Sequence, residues 1–100
     1  MVGGCVPGFG RIVWIGETFL EGGAEVELEN GLRVEVFPDA FGEPVYFAWD
    51  RNRADAPVEL DRETVDCIVR EAIRVCEDDF ARQWLEKWIA LSQGREGGKA

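Results

Sequence analysis

No histidine occurs anywhere in the 100 residues. That absence removes the commonest general base, the commonest metal ligand and every nucleophilic triad built on an imidazole. Hydroxyl side chains are almost as scarce, with one serine, Ser92, and two threonines, Thr18 and Thr64. Lysine stands only at positions 87 and 99. A cysteine nucleophile would lack its usual imidazole partner. Carboxylates remain, but among twenty acidic residues some fall close together by number alone. The composition points away from an enzyme.

Other shortages narrow the class further. No apolar run approaches the roughly 18 to 20 residues that a membrane-crossing helix needs. The opening stretch, Met1-Val2-Gly3-Gly4-Cys5-Val6-Pro7-Gly8, has neither a basic region nor a leucine-rich one, so it does not read as a secretion signal. Without glycine at position 2 it is not a myristoylation site, and the expected location is the cytoplasm. The cysteines, Cys5, Cys67 and Cys76, form no Cys-x-x-Cys pair. Cys67 and Cys76 stand nine residues apart in a helical stretch, about half a turn out of phase. They are expected to face opposite sides, reduced, with Cys76 acting as a small core hydrophobe.

Motif chemistry is equally sparse. Gly8-Phe9-Gly10 precedes a strand and has no third glycine at position 13, which excludes a dinucleotide fingerprint, and no Walker-type Gly-Lys-Ser/Thr is present. Asp50 to Asp55 lacks the glycine and closing glutamate of a calcium loop and carries two arginines. Glu77-Asp78-Asp79 reads as a helix start, not as a metal site. No metal and no cofactor are expected.

What the chain does have is a core-building composition: 46% hydrophobic residues, with tryptophans at 14, 49, 84 and 88, enough for one domain. Arg11 to Ile15 is β-branched and aromatic and reads as a strand continuing past Gly16 to Leu20. Ala24 to Leu28 alternates Ala24, Val26 and Leu28 with Glu25, Glu27 and Glu29. Leu32 to Phe37 alternates Leu32, Val34 and Val36 with Arg33, Glu35 and Phe37. Such period-2 patterning predicts an antiparallel sheet with one buried face.

The turn between the last two strands follows from the same pattern. A two-residue Asn30-Gly31 hairpin would pair Leu28 with Arg33 and mix the faces. A three-residue loop, Glu29-Asn30-Gly31, pairs apolar with apolar and puts Gly31 at the left-handed position. It also sets Glu27 opposite Arg33 and Glu25 opposite Glu35. Val45 to Trp49 is a fourth strand, apolar on both faces and so expected to be central or covered by a helix. Asp50 to Val58 reads as a polar linker.

Asp61 is a suitable N-cap, with Leu60 placed to staple onto Val65 and Glu63 in the first turn. One apolar stripe runs through Val65, Ile68, Val69, Ala72, Ile73 and Cys76. A second, rotated stripe takes in Phe80, Trp84, Leu85, Trp88, Ile89 and Leu91. The phase change at Glu77-Asp78-Asp79 predicts two helices, with one bent helix as the alternative. The expected fold is α+β: a four-stranded antiparallel meander followed by one kinked or two C-terminal helices packed on one sheet face, a single domain over 1–93 with a disordered tail at 94–100.

Charge carries the functional signal. The formal net charge is −9, and the surplus is uneven: residues 1–60 carry −7 and residues 61–100 carry −2. Glu25, Glu27, Glu29 and Glu35 line one face of the hairpin. Direct nucleic-acid binding is disfavoured, since a phosphate backbone needs a basic surface. An acidic face suits docking onto a basic surface of another protein, including one that otherwise holds nucleic acid, as a small phage- or mobile-element-type inhibitor (an anti-restriction or anti-CRISPR protein) would do. The plainer explanation is that acidic surfaces keep a protein soluble. A second surface, around Trp84, Leu85, Trp88 and Ile89, offers an alternative in which the chain self-associates as a homodimer or accessory subunit. Its plainer explanation is a helix packed across the sheet.

Overall fold

The segment from Arg11, the two alternating segments and the Val45–Trp49 run pair in chain order. The computed structural model describes residues 5–6, 10–18 and 22–97. Strands β1 (Cys5–Val6), β2 (Gly10–Thr18), β3 (Gly23–Leu28), β4 (Leu32–Pro38), β5 (Pro44–Asp50) and β6 (Ala56–Pro57) form one antiparallel sheet in sequence order. Helices α1 (Arg62–Val75) and α2 (Asp79–Gly97) follow. The fold is the expected α+β meander with two helices against it. Two-residue strands extend it at each edge, too short to leave a period-2 signal, and short edges limit pairing with other chains. Part of the expected 50–58 linker is therefore ordered, as a 3₁₀ turn at Arg51–Arg53 followed by β6. Phe19 and Leu20, expected in the first strand, lie outside the described residues, as do 98–100 of the expected tail; α2 carries four residues beyond Gln93.

The hairpin β3–β4 has the register that the odd loop requires, with Val26 opposite Val34, Glu27 opposite Arg33 and Glu25 opposite Glu35. Gly31 sits at φ +98° and donates to the Leu28 carbonyl at 3.0 Å. A second glycine matters for a different reason: a Cβ on Gly23 would lie 2.1 Å from the Val36 carbonyl oxygen.

Ile12, Val26, Val34, Val36, Val65 and Leu85 meet in the core between sheet and helices, each 1% exposed or less. The Asp61 side chain accepts from the Thr64 amide and caps α1. Asp78 accepts from the Phe80 and Ala81 amides at 3.0 and 3.2 Å, so the acidic triplet does begin the second helix. Cys76 is buried and Cys67 exposed, both free. The buried stripe of α2 is Ala81, Leu85, Trp88, Ile89 and Ser92. Phe80, expected in that stripe, is 66% exposed; it lies about 100° round the helix from Ala81, outside the single face traced by 81, 85, 88 and 92.

Candidate partner-binding face

Both helices pack on one side of the sheet, and the opposite side has no covering element among the described residues. Strand registers define what that outer face carries. One cross-strand row runs Trp14, Glu27, Arg33, Trp49, Pro57, and the next runs Gly16, Glu25, Glu35, Phe47. The face is therefore aromatic as well as acidic. Trp14 is 45% exposed and Phe47 58%. Strand β5, apolar on both faces, is expected to be central or covered by a helix; its Ala48 side is buried, but its Phe47 side is open. The Ala48 side meets the helices, whereas no element among the described residues lies over the Phe47 side.

Trp14 reaches the outer face because of a bulge. Ile12 and Trp14 would share a face in a regular strand, yet the register shifts between them, from Ile12 opposite Leu28 to Trp14 opposite Glu27. The extra residue, Val13, resets the alternation. Ile12 then enters the core at 0% exposure while Trp14 points outward. The indole lies back over Gly16, where an added Cβ would stand 2.4 Å from its ring carbons. The glycine that the first strand continues past is the bed of an aromatic ring.

The four acidic residues expected on this face divide. Glu25 accepts from Arg33 Nε at 2.6 Å, and Arg33 sits 5.2 Å from the Trp49 ring centroid. The cross-strand neighbour Glu27 is not the partner of Arg33; it pairs instead with Arg51. Glu35 lies beside them, opposite Phe47. Glu29 turns away to the hairpin end, where its carboxylate accepts from the Arg11 amide at 2.8 Å. Two shallow depressions flank Arg33. One, of about 500 Å³, is lined by Arg33, Phe47, Ala48, Trp49, Asp55 and Pro57. The other, of about 260 Å³, is lined by Trp14, Glu27, Arg33 and Arg51.

Comparison with models of protein families, with curated proteins and with solved structures finds no match.

The tryptophan-rich helix has a different place. Leu85 and Trp88 are fully buried and Ile89 is 9% exposed, so three of the four residues of the alternative interface are packed against the chain's own sheet. Trp88 donates from Nε1 to the Val45 carbonyl at 2.8 Å and meets Tyr46 edge-on. Trp84 stays half-buried, donating to Glu17 at 2.9 Å with Lys87 over its ring. Ser92, the lone serine, is 1% exposed. It accepts from Arg62 at 2.8 and 3.0 Å and donates to Asp66 at 3.4 Å, a part-buried polar tie between the helices. Among the described residues no three or more Cys, Asp or Glu converge in a metal-binding group, and no helix is long and apolar enough to cross a membrane.

Sequence reasoning found the acidic half of this face and missed Trp14, Phe47 and Trp49. The apolar-on-both-sides pattern of β5 was the available signal for Phe47 and Trp49. The bulge at Val13 leaves no signal in a single sequence.

Proposed function

We propose that this chain is a non-enzymatic binding protein whose outer sheet face engages a basic surface of another protein. One observation supports this above others: a sheet face bearing Trp14 at 45% and Phe47 at 58% exposure, with no covering element among the described residues. Large exposed aromatics on a rigid sheet are the kind of anchors that dominate interface energies, and they cost solubility when left bare. The charge surplus of the strand half supplies the sign of the partner. Within this reading, the partner surface is one that otherwise holds nucleic acid, and the chain acts as a small inhibitor of the phage or mobile-element type. Free Cys67 and Cys76 suit a reducing, cytoplasmic setting.

The test is affinity capture from the producing organism with quantitative mass spectrometry, using the wild type and two variants. Trp14→Ala with Phe47→Ala removes the anchors, and Glu25→Lys with Glu27→Lys and Glu35→Lys reverses the charge. The same protein should disappear from both variants, and its wild-type yield should fall as salt rises from about 0.05 to about 0.5 M. Capture that survives both variants would rule out this face.

A further inference from the structure

The depression between Trp14 and Arg33 already holds a guanidinium, and it is the chain's own. Arg51 leaves the 3₁₀ turn after β5 and crosses to Glu27 on β3. The two partners differ in setting. The Glu27 side chain is 16% exposed, whereas that of Arg51 is 60% exposed. A largely desolvated carboxylate is thus neutralised by a surface residue whose own pairing is weak. The turn carrying Arg51 ends in two successive non-glycine residues in the left-handed region, Ala54 and Asp55, both at φ 58°. An alanine rarely adopts that conformation, and an aspartate does so more readily.

A finished version of the same arrangement stands one strand away. Arg33 is held by a carboxylate, Glu25, and stacked on an indole, Trp49. Glu27 and Trp14, neighbours across β2 and β3, repeat the pair of carboxylate and indole. Here only the carboxylate is used. Among the described residues cations stack on the rings of Trp49, Trp84 and Trp88, and none on that of Trp14.

We propose that the Glu27–Trp14 notch receives an arginine side chain of the partner protein, and that Arg51 is an internal stand-in which that arginine displaces. This rests on the outer face being the docking surface. The incoming guanidinium forms the ion pair now made by Arg51 and adds the stack on Trp14. Arginine is favoured over lysine because its planar head satisfies both groups at once. Removing Arg51 therefore strengthens binding, the reverse of what a direct contact from Arg51 to the partner would give.

The probe is N-acetyl-arginine amide, titrated into ¹⁵N-labelled protein while the indole N–H signal of Trp14 is followed. N-acetyl-lysine amide and the uncharged N-acetyl-citrulline amide, with salt matched, serve as comparisons. The Trp14 signal should move with arginine amide, less with lysine amide and not with citrulline amide. Arg51→Ala should tighten arginine binding about two- to fivefold, the range of an exposed ion pair, and Glu27→Gln should abolish it. No Trp14 shift in Arg51→Ala up to about 50 mM, well above a millimolar Kd, overturns the proposal, as does equal response to citrulline or unchanged or weaker binding after Arg51→Ala. Partner capture that is lost with Trp14→Ala and Phe47→Ala but indifferent to Glu27→Gln and Arg51→Ala also overturns the notch, and leaves the face intact as the docking surface. Capture indifferent to all four substitutions removes both.

Discussion

At the scale of single residues, tryptophan is used in two opposed ways. Trp88 is enclosed, 0% exposed, with its one polar atom bonded to the Val45 carbonyl; Trp14 is displayed. Trp88→Phe would shrink the buried side chain and remove the indole's hydrogen bond to that carbonyl, combining a cavity with a lost hydrogen bond. Together these should cost about 2–3 kcal/mol, read as a lower urea midpoint with an unchanged slope. Asp61 makes a second residue-scale case. Its carboxylate accepts from Thr64, chiefly through the side chain and also through the backbone, which holds its pKa below the ordinary carboxylate value. A depressed folded pKa means stabilisation present above the unfolded pKa and lost as pH falls through the folded one. Thermal melts between about pH 5 and pH 2 should therefore fall less steeply for Asp61→Asn, which keeps a capping oxygen without a titrating group. Parallel declines would show that the cap does not contribute to acid unfolding.

At the scale of elements, the sheet was legible where period-2 patterning was clean and illegible where one residue broke it. The three-residue loop, the register of Val26 with Val34 and the cap at Asp61 all follow from local rules that act within a few residues. The bulge at Val13 does not, because its cause is tertiary: Ile12 fills the core while Trp14 does not, and either could have been the inward residue by hydrophobicity. Helix α2 shows the same limit. Its buried face runs through Ala81 and Ser92, a small residue and a polar one, while the larger Phe80 stays outside. Ser92 is tolerated in the core because Arg62 and Asp66 of α1 reach it, a partnership 26 to 30 residues distant and invisible to local pattern. The bulge also makes a prediction. Gly16→Ala should force the Trp14 ring off the strand, since the new Cβ would stand 2.4 Å from it. Tryptophan emission should shift and partner capture weaken while the far-ultraviolet spectrum keeps its folded form; unchanged emission and capture would mean that the ring position is not set by Gly16.

At the scale of the whole molecule, the packed core and the exposed aromatic rings occupy opposite sides of one sheet. The inner side holds the apolar residues of β2 to β5 against both helices, and the outer side holds ion pairs, two depressions and exposed rings. The uneven charge follows that division only in part, since Arg33 and Arg51 offset Glu25 and Glu27, leaving an aromatic surface with a modest acidic bias in place of a purely acidic one. Such separation has a measurable consequence. Phe47 meets the Phe37 ring at 5.6 Å between centroids and is 58% exposed, so Phe47→Ser should change unfolding free energy by no more than about 1 kcal/mol, a range set by its exposure. The same substitution should sharply reduce partner capture, since an exposed aromatic anchor commonly accounts for 2 kcal/mol or more of binding, about thirtyfold in affinity. Trp88→Phe should give the converse: lower stability, with capture by the remaining folded protein unaltered. If Phe47→Ser instead destabilised the chain as much as Trp88→Phe, the outer face would belong to the core of the fold, and its exposed rings would need another explanation than a partner.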